Sequence, residues 1–403
     1  MGTETAMTFC KEIAAAPTAV YYALTNGGAM REWLSDNSQV ATRVGGPIFL
    51  YWQDGYFASG EFKELVPDEK VVYSWQGKGD TAVSTVTITL APTDNGTQVE
   101  LVHSDGPGGE EAADLRQSLK DGWEASLANL KSVLETGLDK RVYDRAFLGI
   151  LIGQQLNAEQ MVERGLAGEG GISISGTMAN TGAAAAGLQA DDVIVDLGGA
   201  TTKDFLSLRE AIRPYRAGDS VKVSYFRDGE RQQTLMTLST RPVPEVPSTP
   251  AGLADALREA YAQLDKELDE VLAGATEAEA EFRPKDGNWN VKELLGHLIT
   301  TERGSQMGVA TQLTDGVLDG FPNNPMAWMQ AVTSVYKTLP EVVALWKRTE
   351  AETVALMALL PEAFVARKAT YLNNGTGFLQ GLVGHTRTHI GEIKGLLEAA
   401  RQQ

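Results

Sequence analysis

Three of the four histidines in this 403-residue chain fall in two short runs. His385 and His389 lie in Gly384-His-Thr-Arg-Thr-His-Ile390, and His297 lies in Trp289-Asn-Val-Lys-Glu-Leu-Leu-Gly-His297-Leu. Two histidines four residues apart on a helix share one face, one above the other. A third imidazole from a second helix completes a set of three neutral nitrogen ligands. Such a set leaves a divalent cation almost fully charged, with open positions for water or substrate. An ion held this way lowers the pKa of a bound water towards ~7 or holds a thiolate. Zinc is the default ion, and nickel and iron suit the same ligands. The alternative is three buried polar side chains with no metal. Glu302, five residues after His297, and Glu392, three after His389, are placed to orient ligands or act as bases; solvated helix charges are the other reading.

The elements that must carry these residues come last in the chain. Arg241-Pro-Val-Pro-Glu-Val-Pro-Ser-Thr-Pro250 holds four prolines and reads as an extended linker, with the boundary set at 242–252. Beyond it the apolar spacing is helical over 257–272, 291–307, 327–357 (one helix or two) and 378–400. Asn288 or Asn290 is placed to cap the second of these. Four amphipathic helices in about 150 residues predict a four-helix bundle with a long crossover over 316–325.

The first third has a different texture. A short helix from Pro17 is followed by β-rich runs at 47–52, 56–65, 70–75 and 83–90, with Asp54-Gly55 and Asn95-Gly96 as hairpin turns. Leu115, Leu119, Trp123, Leu127, Leu130 and Leu134 then mark one face of a long helix that Gly137 ends. A curved sheet wrapped over a long helix leaves space for a ligand. Trp33, Trp52, Trp75 and Trp123 either line such a pocket or are ordinary core aromatics. His103, alone at a strand end, reads as a structural hydrogen-bonding residue.

The formal net charge of −18 argues against nucleic acid or an anionic membrane as the main partner. Cys10 is the only cysteine, so no intrachain disulfide and no cysteine cage can form. The N-terminus lacks the pattern of a signal peptide, and no apolar run reaches the ~20 residues of a membrane span. A cytoplasmic protein is the expectation.

Three family resemblances follow from these residues. Residues 1–143 resemble the START-like superfamily, in the branch related to the activator of heat-shock-chaperone ATPase. The matching pieces include Gly45-Gly46-Pro-Ile-Phe, Trp52-Gln-Asp-Gly55, Val72-Tyr-Ser-Trp75, Gly96-Thr-Gln-Val-Glu-Leu-Val-His103 and Gly122-Trp123. The resemblance implies a helix-grip fold and a small apolar ligand in the sheet–helix cavity. Residues 144–241 resemble a PDZ domain of the bacterial protease-associated type, on Ala186-Gly187-Leu188, Asp192-Val-Ile194 and Gly218-Asp219-Ser-Val221-Lys-Val223. That implies a small β-barrel-like domain whose strand from Phe147 pairs with a protein C-terminus. Backbone amides of Phe147, Leu148 and Gly149, continuing into Ile150, would hold the carboxylate with help from Arg145. The alternative is a spacer that binds nothing. Residues 253–403 resemble the DinB-like bundle family, which includes thiol-dependent transferases, on the two histidine runs. That resemblance implies an all-α up-down four-helix bundle, assigns His297, His385 and His389 as metal ligands, and adds Glu293 to their supporting residues.

The chain is therefore read as a multidomain α+β fusion. No serine nucleophile occurs in a recognisable histidine and carboxylate context, so the PDZ-like part is an adaptor rather than a protease appendage. Two functions remain open. One is a metal-dependent transferase or hydrolase acting on a small molecule, with any reacting sulfur supplied by an external thiol because Cys10 lies in another domain. The other is a non-enzymatic sensor or adaptor with a structural metal. A co-chaperone role rests only on the name of the N-terminal branch.

Overall fold

The computed structural model describes residues 6–104, 113–284, 289–317 and 326–402. It divides into two units, one of residues 1–137 with 244–403 and one of residues 138–243.

The first unit opens with β1 (Met7–Ile13), α1 (Pro17–Thr25) and α2 (Gly27–Trp33). Six strands follow: β2 (Asn37–Val40), β3 (Pro47–Tyr51), β4 (Phe57–Val66), β5 (Lys70–Gly77), β6 (Ser84–Thr93) and β7 (Gly96–Ser104). The helix α3 (Ala113–Thr136) ends this part. The seven strands form one antiparallel sheet in the order β1-β7-β6-β5-β4-β3-β2. Alternation sets the faces: in β3, Ile48 and Leu50 turn into the core while Phe49 and Tyr51 face out. The inner face packs on Trp123, Leu127, Leu130 and Val133 of α3. Gly137 ends that helix at φ +80°, the left-handed conformation that suits glycine. The strand β1 escaped the sequence reading because its pairing, Met7 opposite His103 through Ile13 opposite Thr97, is non-local.

The bundle follows with α8 (Pro250–Leu272), α9 (Glu277–Glu281), α10 (Val291–Leu313), α11 (Met326–Val335), α12 (Leu339–Ala358), α13 (Glu362–Val365) and α14 (Lys368–Thr376). A π-helical segment, Gly377–Leu382, leads into α15 (Val383–Arg401). Pro250 is already the first residue of α8, under a Thr249 cap, so the extended stretch is shorter than its composition suggests. The apolar run over 327–357 is two helices, because Pro340 can only be accommodated in a first turn. Among the long helices, α8 and α10 each pack against both α12 and α15. Asn288 and most of the expected crossover lie outside the described residues.

The bundle interior also holds carboxyl groups. Glu302 on α10 accepts hydrogen bonds from Tyr261 of α8, at 2.7 Å, and from Thr353 of α12. Glu350 of α12 is buried beside Asp265 of α8, and burial, reinforced by the Asp265 and Glu302 charges, pushes its carboxyl up to about 10.

The second unit contains α4 (Lys140–Tyr143), β8 (Ile150–Asn157), α5 (Ala158–Glu163), β9 (Gly170–Thr177), α6 (Gly182–Ala185) and β10 (Val193–Leu197). It closes with β11 (Ala200–Thr201), α7 (Phe205–Ile212), β12 (Ser220–Arg227) and β13 (Glu230–Thr237). The strand order is β13-β12-β10-β9-β8, with β11 on β10, so β8 is an edge. Asp228 and Gly229, at φ +51° and +82°, make the tight β12–β13 turn that an Asp-Gly pair favours. Buried Asp192 is held by Arg227 through two 2.7 Å hydrogen bonds.

Glu350 supplies a stability test. Its folded pKa lies above the unfolded value, so the stability that its protonated form contributes is complete below about pH 4.5 and is lost as pH rises towards about 10. Glu350→Gln keeps the shape without the ionisation. It should raise thermal stability at pH 8 by about 1–3 kcal/mol and have little effect at pH 4.5. Thermal melts at the two pH values measure the difference.

Candidate metal centre and binding surfaces

His297 sits on the second turn of α10. A reciprocal capping box fixes the start of that helix: Glu293 N donates to Asn290 Oδ1 at 2.9 Å, and Asn290 N donates to Glu293 Oε2 at 3.0 Å. Arg283 donates to the other oxygen of Glu293 at 2.7 Å. The Trp289 ring lies over His297 with centroids 5.0 Å apart. His385 and His389 project from the first two turns of α15, which Arg387 pins to α8 through Glu267 at 3.0 Å.

The three side chains meet. His385 Nε2 lies 3.1 Å from both His297 Nε2 and His389 Nε2. The ring planes are steeply inclined to one another, at 68° to 84°, so edges rather than faces converge. Two nitrogens bound tetrahedrally at zinc distances are ~3.3 Å apart, close to this spacing. His389 Nδ1 is 2.8 Å from Glu392 Oε2; a proton there leaves the lone pair on Nε2. The buried Nδ1 of His385 has no hydrogen-bond partner. Burial, and secondarily His389, lowers the His385 pKa, which keeps the ring neutral. Convergent Nε2 atoms on three rings are what a cation needs, so the residues fit a divalent ion. Among the described residues this is the one cluster of histidine, cysteine or carboxylate groups close enough to share an ion.

Of the three carboxylates expected to support the ligands, Glu392 alone touches one. Glu293 is committed to the cap of α10 and to Arg283, so it positions the helix rather than a ring. Glu302 is buried with Tyr261 and Thr353: five residues turn an α-helix by ~500°, which carries it well away from the face of His297. Trp289, whose ring is tilted 39° against that of His297, was legible in the sequence only as part of a motif.

In the N-terminal part, a cavity of about 390 Å³ is lined by Leu34, Trp52, Tyr56, Trp75, Leu119 and Trp123, with Asp54 also on its wall. Trp33 is not among its lining residues. Its indole N–H donates to Ala23 O at 2.8 Å, and the ring is a buried core group that ties α2 to α1. His103 is buried beside the cavity wall, where its Nδ1 accepts from Trp123 Nε1 at 3.0 Å and its Nε2 lies 2.7 Å from Ser84 Oγ. Burial lowers its pKa to about 4, so it holds Trp123 as a neutral ring.

In the PDZ-like part, the expected peptide strand begins at Ile150 rather than Phe147. Phe147 instead exchanges both backbone hydrogen bonds with Ser239 at 2.9 Å, which removes its amide as a carboxylate donor. The Leu148 side chain is a core residue, and Gly149 has φ +81°. A Cβ on Gly149 would come within 2.1 Å of the Thr181 hydroxyl. Arg145 is exposed and bridges Arg216 through its backbone. Leu151 and Ile152 on the edge strand, and Phe205 and Leu206 on α7, are exposed apolar side chains.

Comparison with known proteins gives the same three parts in the same order. Residues 14–135 match the activator of Hsp90 ATPase homolog 1-like family, 151–238 the PDZ domain and 240–393 the DinB superfamily. The chain is a fusion of these three domains. The periplasmic pH-dependent serine endoprotease DegQ of Escherichia coli is 28% identical over 201 residues, which cover 50% of this chain and 39% of that protein. A probable periplasmic serine endoprotease DegP-like of Marinomonas is 33% identical over 98 residues, covering 24% of this chain and 21% of that protein. The chain thus spans well under half of these curated relatives. A solved protein of Mesorhizobium loti is 23% identical with a TM-score of 0.30, covering 32% of this chain and 96% of its own. Another, from Chromobacterium violaceum, is 26% identical with a TM-score of 0.28 at the same coverage. No helix among the described residues is long and apolar enough to cross a membrane.

The exposed partner of His389 can be tested separately from the buried carboxylates. Glu392→Ala should weaken metal binding about tenfold, while Glu302→Gln should leave it unchanged. Competition against a chromophoric chelator reads both. Equal losses would reverse the assignment.

Proposed function

We propose that the C-terminal domain is a metal-dependent centre, with His297, His385 and His389 as ligands, that acts as a transferase or hydrolase on a small molecule. The observation that carries this reading is the pair of 3.1 Å Nε2 separations across two helices, with Glu392 orienting one ring. A bound divalent ion, zinc first and nickel or iron next, would supply Lewis acidity to a water or an external thiol. The chain's own part is to hold three converging rings and to keep His297 on the bundle side under Trp289.

One observation favours the second reading, a sensor or adaptor with a structural metal. Glu392 is engaged with His389 and Glu302 with Tyr261 and Thr353, which leaves neither of these carboxylates as a ready general base. Metal analysis of the purified protein and of His389→Ala comes first. The wild type should retain about one equivalent, and the variant should lose it. Metal-free wild type after growth with supplemented zinc, nickel and iron would end the enzyme reading. Metal-loaded protein that turns over no electrophile with any low-molecular-weight thiol or water would favour the sensor.

The other two domains are read as binding modules on the same chain. The cavity of the N-terminal domain suits an apolar ligand, and Asp54 on its wall disfavours an anionic one. Edge strand β8 suits addition of a protein C-terminus, with the Leu148 and Gly149 amides near the carboxylate. Gly149→Asp is a poor probe of that groove, because any Cβ there strikes Thr181. Exposed Ile152 and Leu206 allow a cleaner test: Ile152→Asp and Leu206→Asp should leave folding intact and weaken binding to a C-terminal peptide library at least tenfold. Unchanged binding would refute the groove. A cytoplasmic location is consistent with the single free, exposed Cys10, and the periplasmic relatives make cell fractionation the deciding measurement.

A further inference from the structure

The N-terminal cavity and the histidine centre are joined by two helices in contact. The first half of α3 forms one wall of the cavity through Leu115, Leu119 and Trp123. The other end of α3, ~20–30 Å along the rod from these residues, meets α14. There, Lys368 Nζ donates to Glu135 O at 2.6 Å. Gly137 approaches so closely that a Cβ would lie 2.9 Å from Lys368 O. Thr370 of α14 donates to Glu32 of α2 at 2.7 Å, and the Arg367 guanidinium lies over the Tyr22 ring at 4.3 Å. Ala369 is buried in the core of the N-terminal domain, and Tyr371, two residues on, in the core of the bundle. From there the helix runs without a break through Gly377–Leu382 to His385 and His389, with right-handed helical dihedrals at both junctions.

The segment between the docking contact and the ligands is π-helical. A π-turn holds one more residue than an α-turn, and moving or removing it rotates the following helix by ~100° per residue. Migration of that extra residue along the helix would be a discrete change of register, whereas a packed α-helix transmits displacement rigidly. His385 stands three residues beyond it and must keep its Nε2 within 3.1 Å of His297 on another helix. We propose that the cavity of the N-terminal domain is a regulatory site for the histidine centre, its occupancy transmitted through α3 and α14 to the π segment that sets His385 and His389. This rests on the reading of the cavity and of the metal centre given above. The ligand class is a neutral, apolar small molecule wide enough to press Leu119 and Trp123 away from the sheet. By linkage the effect is reciprocal: metal binding must alter ligand affinity by the same factor.

The test uses the full chain, cobalt(II) as the metal and 1-aminoanthracene as a neutral fluorescent cavity probe. Saturating probe should change the cobalt dissociation constant by about fivefold or more, and cobalt should change probe affinity equally. In the Lys368→Met/Thr370→Val double variant both ligands should still bind, with the coupling reduced towards one. Cobalt affinity that is the same with and without bound probe overturns the proposal. Two further measurements separate its failure from failure of the readings beneath it. Leu119→Trp fills the cavity from its own wall, and amide hydrogen exchange over residues 377–389 in metal-free protein follows the π segment directly. If the probe does not bind, the cavity reading fails, and unchanged exchange in Leu119→Trp overturns the coupling. If cobalt does not bind, the metal reading fails, and exchange insensitive to the probe overturns the coupling.

Discussion

Three converging imidazole nitrogens, with His385 Nε2 3.1 Å from the Nε2 of both His297 and His389, are the constraint around which the C-terminal domain is built. Imidazole rings whose Nε2 atoms converge gain little from each other, and the buried Nδ1 of His385 gains nothing. The arrangement persists because the surrounding structure over-determines it. A capping box and Arg283 fix α10, Trp289 covers His297, and Glu267 anchors α15 through Arg387. Each contact is modest alone. Together they hold two helices at a spacing that a single divalent ion matches.

Carboxylates in the same bundle follow a different logic. Glu302 and Glu350 sit within its packed interior, where ionisation is costly, and the neutral form of Glu350 is strongly favoured. Glu392, half in solvent, lies 2.8 Å from His389 Nδ1. Proximity in sequence to a histidine of the cluster did not select between these fates. Helical angle and burial did.

The N-terminal and PDZ domains show the same division between framework and surface. In the former, one tryptophan is spent on joining α1 to α2, while three face the cavity. In the latter, Phe147 is used to close the domain against Ser239, and the free edge starts after it. The helix α14 belongs to two cores at once, so the N-terminal domain and the bundle share one packed unit even though their resemblances lie with separate families.

By itself the sequence determined much of this. The Asp-Gly and Asn-Gly turns, the heptad-like face from Leu115 to Leu134, Gly137 as a stop and the four-residue spacing of His385 and His389 are local signals, and each acts through backbone geometry within a few residues. Three domain resemblances were legible for the same reason. Only the tertiary structure decided what depends on distant partners. It paired β1 with β7, sent Trp33 to the core and Trp52 to the cavity, and turned Glu302 away from His297. It also continued the last helix backwards through a π segment into contact with another domain. Those outcomes turn on angle, register and burial, which no short run of residues encodes. The histidine helix was conspicuous from its composition alone, but the third nitrogen came within 3.1 Å only once two helices had packed.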